Sequence, residues 1–490
     1  MRLTASPTHT APTQVTGADR ASAGAGTAIG VLVLAAFVMF LNETVLSVAL
    51  KTLSEDLGLP TSTIQWVTSV FLLAMAVVIP TTGYLLERFT ERQVFFASTL
   101  LFTVGTLCCA LAPNFAVLIG GRVLQACGTA IIMPLLMTTV MRMVPADRRG
   151  AVIGSITVVT AVAPALGPTV GGVVLGALGW RWLFWIVLPL MIATIVVGGL
   201  KLRPNHPSAA TPLDVLSIPL TALGFGGLLY GLSSIGKGST DAATVIALAV
   251  GAMAFAGFIA RQLRLQRRDR ALLDLRALAH RRFAVAVIIV ALLFTCMMAV
   301  TAVLLPLYLQ TVLGESTVVS GLVMLPGGLA LGLLGPLVGR LYDRVGARAL
   351  VLPGAFLTAI ALGLFPVLGG ASPLWLVVVI HVLLMAGIGT MMAPLNTDAL
   401  SSLPANMYSH GSAIITTIQQ VAGAFGIALF VTVATLASTT AQQAPDTAGL
   451  HAAFTIMVVF GVAAFAMTFL VRGTRTRTTE STASRRADAN

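Results

Sequence analysis

Between residues 28 and 472 the chain repeats one pattern: an apolar run of about twenty residues, a short polar loop, then another run. A helix needs roughly 20 apolar residues to cross a ~30 Å hydrocarbon core, and inside lipid every backbone N–H and C=O must be paired within the segment. The pattern therefore predicts an all-α, polytopic membrane protein and excludes an ordinary soluble domain. Fourteen runs can be drawn, near 28–50, 63–83, 93–111, 116–141, 150–176, 181–201, 214–234, 243–262, 283–312, 318–339, 349–369, 373–397, 410–437 and 452–472. The charged fraction agrees: it is 9%, against roughly 25% in soluble domains.

Charge then sets the expected orientation. If the N-terminus is cytoplasmic, 25 basic residues fall in segments on the cytoplasmic side and three (Lys51, Arg181, Lys237) on the other. Positive charge collects in cytoplasmic loops, so both termini are expected inside. The +12 net charge then needs no nucleic acid partner. Trp180, Trp182 and Trp185 are expected at the outer interface, where amphipathic rings are favoured. Residues 1–26 and 473–490 are polar and read as disordered cytoplasmic ends. No short apolar core with a cleavage site precedes the first run, so that run is expected to stay as an anchor. Cys108, Cys109, Cys127 and Cys296 lie within apolar runs and read as packing residues, with no metal-ligand spacing.

An internal repeat decides the architecture. Gly83-Tyr-Leu-Leu-Glu87-Arg88-Phe-Thr-Glu-Arg92 follows the second run, and Gly339-Arg-Leu-Tyr-Asp343-Arg344-Val-Gly346-Ala-Arg348 follows the tenth, 256 residues later. Gly154-Ser155 and Gly411-Ser412 are related by 257 residues. Two six-helix bundles, 27–201 and 283–472, separated by a two-helix insert (202–262) and a basic linker (263–282), explain both offsets. Parallel repeats of this kind place a substrate site between the bundles near the midplane. The linker, with eight arginines from Arg261 to Arg282 counted in its segment, is expected to lie on an anionic membrane surface.

Within this frame a few polar residues stand out. Glu43, in Asn42-Glu43-Thr44, lies well inside the first run. A carboxylate there costs a few kcal/mol even on lenient insertion scales, and such residues usually face a bundle interior and serve function. A helical projection places Met39, Glu43, Leu46, Ser47 and Leu50 on one face. Arg122 is the one basic residue inside a run; it is a buried functional base, a snorkelling side chain near a helix end, or an arginine satisfied by backbone carbonyls. Gln65, Trp66, Gln419 and Gln420 read as cavity or helix-packing residues, His381 as a titrating cavity residue or a hydrogen-bonded core histidine, and Asn396 and Asp398 as solvated near a helix end. No metal site is expected, and no phosphate-cradling Gly-x-x-x-x-Gly-Lys-Ser/Thr loop occurs, so an ion gradient rather than ATP is the expected energy source.

Four strings carry a resemblance. The Gly83 and Gly339 loops are similar to Gly-x-Leu-x-Asp-Arg-x-Gly-Arg-Lys/Arg, with Glu87, Thr90 and Glu91 as departures in the first copy. Gly121-Arg122-Val-Leu-Gln125-Ala-Cys-Gly128 resembles Gly-Arg-x-x-Gln-Gly-x-Gly. Ala163-Pro164-Ala-Leu-Gly167-Pro168-Thr-Val-Gly171-Gly172 resembles an antiporter string, Gly-x-x-x-Gly-Pro-x-x-Gly-Gly. Asn42-Glu43-Thr44 stands where relatives carry Leu-Asp-x-Thr or, in a subgroup with lincomycin-type exporters, Asn-Glu-Thr. The chain thus resembles the major facilitator superfamily, in its fourteen-span drug:proton antiporter branch. That resemblance implies a monomeric bacterial plasma-membrane antiporter that exports amphipathic, cationic drugs or antibiotics for protons without a cofactor. It implies proton and substrate coupling at Glu43 with Asn42, Thr44, Arg122 and Gln125, and gating by Gly83, Glu87, Arg88, Arg92, Gly339, Asp343, Arg344 and Arg348. A dedicated exporter of one metabolite or self-made antibiotic, and a non-transporting sensor on the same scaffold, remain open alternatives.

Overall fold

The computed structural model describes residues 17–64, 66–202, 214, 216–236, 241–268, 270–438 and 446–471, and every regular element among them is helical. The long helices are α1 (Gly17–Val45), α2 (Trp66–Arg88), α3 (Glu91–Ala110), α4 (Phe115–Met143), α5 (Arg149–Leu178), α6 (Val187–Lys201), α7 (Ser217–Gly236) and α8 (Ala242–Leu265). They continue as α9 (Arg281–Val312), α10 (Thr317–Val345), α11 (Ala347–Leu364), α12 (Leu374–Ser401), α13 (Tyr408–Leu436) and α14 (Thr447–Thr468). Among the described residues, twelve helical segments are long and apolar enough to cross a membrane. The described apolar stretches of α5 and α7, Arg149–Ala163 and Ser217–Leu228, are shorter. The protein is a multi-pass membrane protein.

Local irregularities have local causes. α2 tightens to a 3-10 turn at Ile79–Thr81 around Pro80, since proline cannot donate to the helical ladder. α9 widens to π geometry at Val300–Leu304 and Tyr308–Val312, on either side of Pro306. The two loop motifs turn differently. Gly346 adopts φ 79° between α10 and α11, a left-handed conformation that favours glycine. At the matching place in the first copy, Thr90 is extended (φ −66°, ψ 150°) and forms a capping box with Gln93 at the start of α3. A cap replaces a glycine turn, so threonine fits there.

The packing follows the repeat. α3 lies along α4 and α11 along α12; α1 lies along α5 and α9 along α13; α5 packs on α10 and α13 on α2. Gly150 and Gly154 of α5 meet Gly339 and Gly335 of α10 so closely that a Cβ on any of them would strike the opposing backbone. Small residues permit that approach of helix axes. α7 and α8 pack on one another, and α7 also lies against both α2 and α13. Trp66 stacks on Tyr230 of α7 with ring centroids 6.0 Å apart, so it packs against the insert.

Candidate functional site

The polar string of α1 sits where that helix changes character. α-helix ends at Val45, a 3-10 turn spans Leu46–Ala49, and a short helix resumes at Leu50–Leu57. Along the face expected from sequence, Met39 and Leu46 are fully buried in the apolar core while Glu43 and Leu50 are half-buried. Thr44 turns its hydroxyl onto the carbonyls of Phe40 (3.4 Å) and Leu41 (3.2 Å). Gly167 of α5 leaves the room that the Thr44 side chain occupies, so the antiporter string and the Asn42–Thr44 string touch. Ala163 and Gly171 are buried, whereas a Cβ on Gly172 would meet open space. Gln65 and the side chains of Ser47, Lys51, Pro164 and Pro168 lie outside the described residues.

Asn42, one residue before Glu43, is fully buried and faces Arg122. Arg122 is also fully buried, which rules out snorkelling. Its Nε donates to the Val67 carbonyl at 3.1 Å, and its Nη1 to Gln125 Oε1 at 3.0 Å and Asn42 Oδ1 at 3.4 Å. The guanidinium lies 4.2 Å from the centre of the Phe71 ring, a cation–π contact. Gln125 in turn donates to Thr106 Oγ1 at 2.8 Å. Arg122 Nη2 and Asn42 Nδ2 have no hydrogen-bond partner among the described residues. Glu43 lies within range of the Arg122 charge but forms no ion pair with it. The structure thus joins α1, α2, α3 and α4 through Arg122, with Asn42 as the direct contact from α1.

Two latches, each a polar contact between helices, lie at the arginine-rich end. Asp343, at the end of α10, accepts hydrogen bonds from the Gly150 and Ala151 amides at the start of α5, both at 2.8 Å. A carboxylate on a helix N-terminus is favoured by the orphan donors and the dipole there. Glu87, at the end of α2, meets His410 Nε2 near the start of α13 at 2.9 Å and accepts from Ser409 Oγ at 3.4 Å. Above these, Thr138 and Ser412 join α4 to α13 through hydroxyls 3.1 Å apart. Arg92 donates to the Gly199 carbonyl at 3.3 Å, and Glu91 pairs with Arg142 at 3.5 Å. Arg88, Arg344 and Arg348 form no ion pair among the described residues.

The remaining candidates separate. His381 is buried on α12, its ring filling the space that Gly327 of α10 leaves, and neither ring nitrogen finds a partner among the described residues. The expected hydrogen bond is therefore not seen there, because the ring packs on a bare glycine. Asp398 is buried too, not solvated. Gln419 and Gln420 are half-buried on α13. Trp182 and Trp185 are exposed, but Trp180 is buried and donates to Asp56 at 2.9 Å, beside Arg181 at 3.2 Å from the same carboxylate. These two donors hold the Asp56 carboxyl below the usual range. An apolar recess of about 300 Å³, lined by Leu85, Phe89, Gln93, Val94 and Ala97, lies at the arginine-rich end of α2 and α3, away from Glu43. His410 and Gln262 were missed by sequence reasoning; both stand outside the recognised strings.

The profile of the Major Facilitator Superfamily matches residues 32–427. The chain belongs to that superfamily. It is 38% identical over 407 residues to the lincomycin resistance protein LmrB of Listeria innocua, covering 83% of this chain and 85% of the relative. It is 33% identical over 415 residues to the multidrug resistance protein B homolog of Mycobacterium tuberculosis, covering 84% and 76%. The solved proton:xylose symporter XylE superposes with a TM-score of 0.65 at 16% identity, covering 93% of this chain and 97% of that one; this likeness shows the fold alone. The protein is thus a transporter of this superfamily, akin to drug and lincomycin resistance proteins.

Proposed function

We propose that this transporter is a proton-coupled antiporter that exports amphipathic drugs or antibiotics across a bacterial plasma membrane. The observation that carries the reading is the placement of Glu43, a half-buried carboxylate one residue from the Asn42–Arg122 contact, in a chain 33–38% identical to lincomycin and multidrug resistance proteins. The chain is read as fourteen spans, α1–α14, in two six-helix bundles (27–201 and 283–472) with α7 and α8 inserted. Pairings that recur at the 256-residue offset support this division. The arginine-rich face is the cytoplasmic one, with both termini there, and the two latches hold that side closed.

In this mechanism Glu43 alternates between a proton and a cationic or polar group of the substrate. A carboxylate away from bulk water binds a proton or a cation more readily than it stays bare. Arg122, fixed by Asn42, Gln125 and Val67, supplies a constant positive field beside it. The test is drug-induced proton release in inverted membrane vesicles. Wild-type protein should release protons on addition of several unrelated cationic compounds, and Glu43→Gln should abolish both release and export while remaining folded and inserted. Export by that variant at the wild-type rate across pH 6–8 would sink the reading.

A further inference from the structure

The Glu87 latch is not built from α2 and α13 alone. His410, which closes it, is 4% exposed and has both ring nitrogens engaged. Its Nδ1 accepts a hydrogen bond from the Asp274 backbone amide at 3.3 Å, and its Nε2 faces Glu87 Oε1 at 2.9 Å. An imidazole nitrogen that accepts carries no proton, so a neutral ring in this place must hold its proton on Nε2 and donate it to Glu87. The linker amide therefore selects the tautomer that makes the latch. Gly83 of α2 leaves the room that the ring needs; a Cβ there would lie 2.6 Å from Nδ1.

The linker is itself held by the insert. Gln262, near the end of α8, is fully buried, and its Oε1 accepts from the Leu272 and Leu273 amides at 2.8 and 3.2 Å. Its Nε2 donates to Ser217 Oγ on α7 at 2.7 Å, so the carboxamide is used at both ends. Arg261 clamps Asp214 through Nε (2.7 Å) and Nη2 (2.5 Å), fixing the start of α7 to the end of α8. The Asp274 carboxylate is taken by Arg276 at 2.6–3.0 Å, leaving its N–H for His410. The other latch is direct, with Asp343 taking the amides of α5 itself.

We propose that the insert and linker act on one of the two latches, with Gln262 and the Asp274 amide as positioning groups that orient His410 toward Glu87 and favour the state closed at the arginine-rich end. The role assigned to that closure rests on the transporter reading above. The chain of contacts is Ser217–Gln262–linker backbone–His410–Glu87, and each link is a hydrogen bond to a buried group. Losing one such bond should shift the closed–open ratio about fivefold.

The test uses full-length protein in lipid nanodiscs with spin labels at Ala146→Cys and Arg281→Cys, in a background with the native cysteines replaced. Asp274 has φ −79°, which proline can adopt. Asp274→Pro deletes the amide donor and the side chain; Asp274→Ala deletes the side chain alone. Asp274→Pro should raise the long-distance, open population about fivefold over Asp274→Ala. Gln262→Leu should do the same as Asp274→Pro, and His410→Ala combined with Gln262→Leu should shift it no further than His410→Ala does. Equal distributions for the proline and alanine variants, or additive effects of His410→Ala and Gln262→Leu, would overturn the proposal. The distance readout needs neither drug nor proton gradient, so its outcome is separable from that of the Glu43 experiment.

Discussion

Arg122→Lys keeps the charge and removes the fork, which makes it the sharpest probe of the Asn42–Arg122–Gln125 cluster. The guanidinium donates from Nε to Val67 and from Nη1 to Gln125 and Asn42, in two different directions, while its plane covers Phe71 at 4.2 Å. An ammonium is a single point on a flexible stem and cannot occupy both donor positions at once. It therefore forfeits at least one charge-assisted hydrogen bond, each about 1.5–3 kcal/mol. It also strands a buried acceptor, and the net cost should be about 3 kcal/mol. The cluster carries its own reporter: Cys109 is buried with its Sγ 3.9 Å from Gln125 Oε1, while Cys296 is buried on α9. In a temperature ramp with a thiol-reactive fluorophore on single-cysteine proteins, Arg122→Lys should expose Cys109 several degrees before Cys296. The wild type should expose both together. Unchanged protection of Cys109 in the lysine variant would refute the account and make the guanidinium geometry irrelevant.

Two further outcomes follow from close contacts. Gly167→Val drives two methyl groups into the Thr44 side chain and should cost about 1–3 kcal/mol as overpacking; the expected result is reduced export with inserted protein of lower thermal stability, and wild-type export would contradict the contact. Asp343→Asn keeps one acceptor oxygen where the Gly150 and Ala151 amides need two. It should raise the open population of the Ala146–Arg281 spin-label pair about tenfold, since hydrogen bonds to a charged acceptor are worth about 1.5–3 kcal/mol. An unchanged distance distribution would remove Asp343 from the closure.

Much of this was legible in the chain because membrane helices advertise themselves. Length and apolarity mark the segments, and the 256-residue offset between Gly83 and Gly339 anticipates which helices pair. Buried charge is so costly in lipid that Glu43 and Arg122 were visible as exceptions. What periodicity could not show was where helical winding changes. The 3-10 turn at Leu46–Ala49 rotates the tail of the first run, so an α-helical projection carried past the turn misplaces Leu50. Nor could spacing reveal that Thr90 caps a helix where the second copy turns at Gly346, although Thr90 and Gln93 spell a capping box. His410 and Gln262 were invisible for another reason. Their partners are backbone amides 136 and about 10 residues away, and backbone partners leave no trace in side-chain identity.

The order Asn42-Glu43 gains a physical meaning from these contacts. Arg122 needs an acceptor from α1, and the neutral Asn42 carboxamide supplies one at 3.4 Å. An aspartate in that place would pair with the guanidinium at about 3.4 Å, worth roughly 5 kcal/mol at an effective dielectric constant near 20. Any proton taken up there would first have to break the pair. With the amide in place, Arg122 stays fixed whichever form the neighbouring carboxylate takes. Glu43, about 100° further round the helix and half-buried, is released from holding the arginine. On the proposed reading, one residue provides the structural acceptor and the next provides the titratable one. Proton exchange then does not require the buried cluster of α1, α2, α3 and α4 to come apart in each cycle.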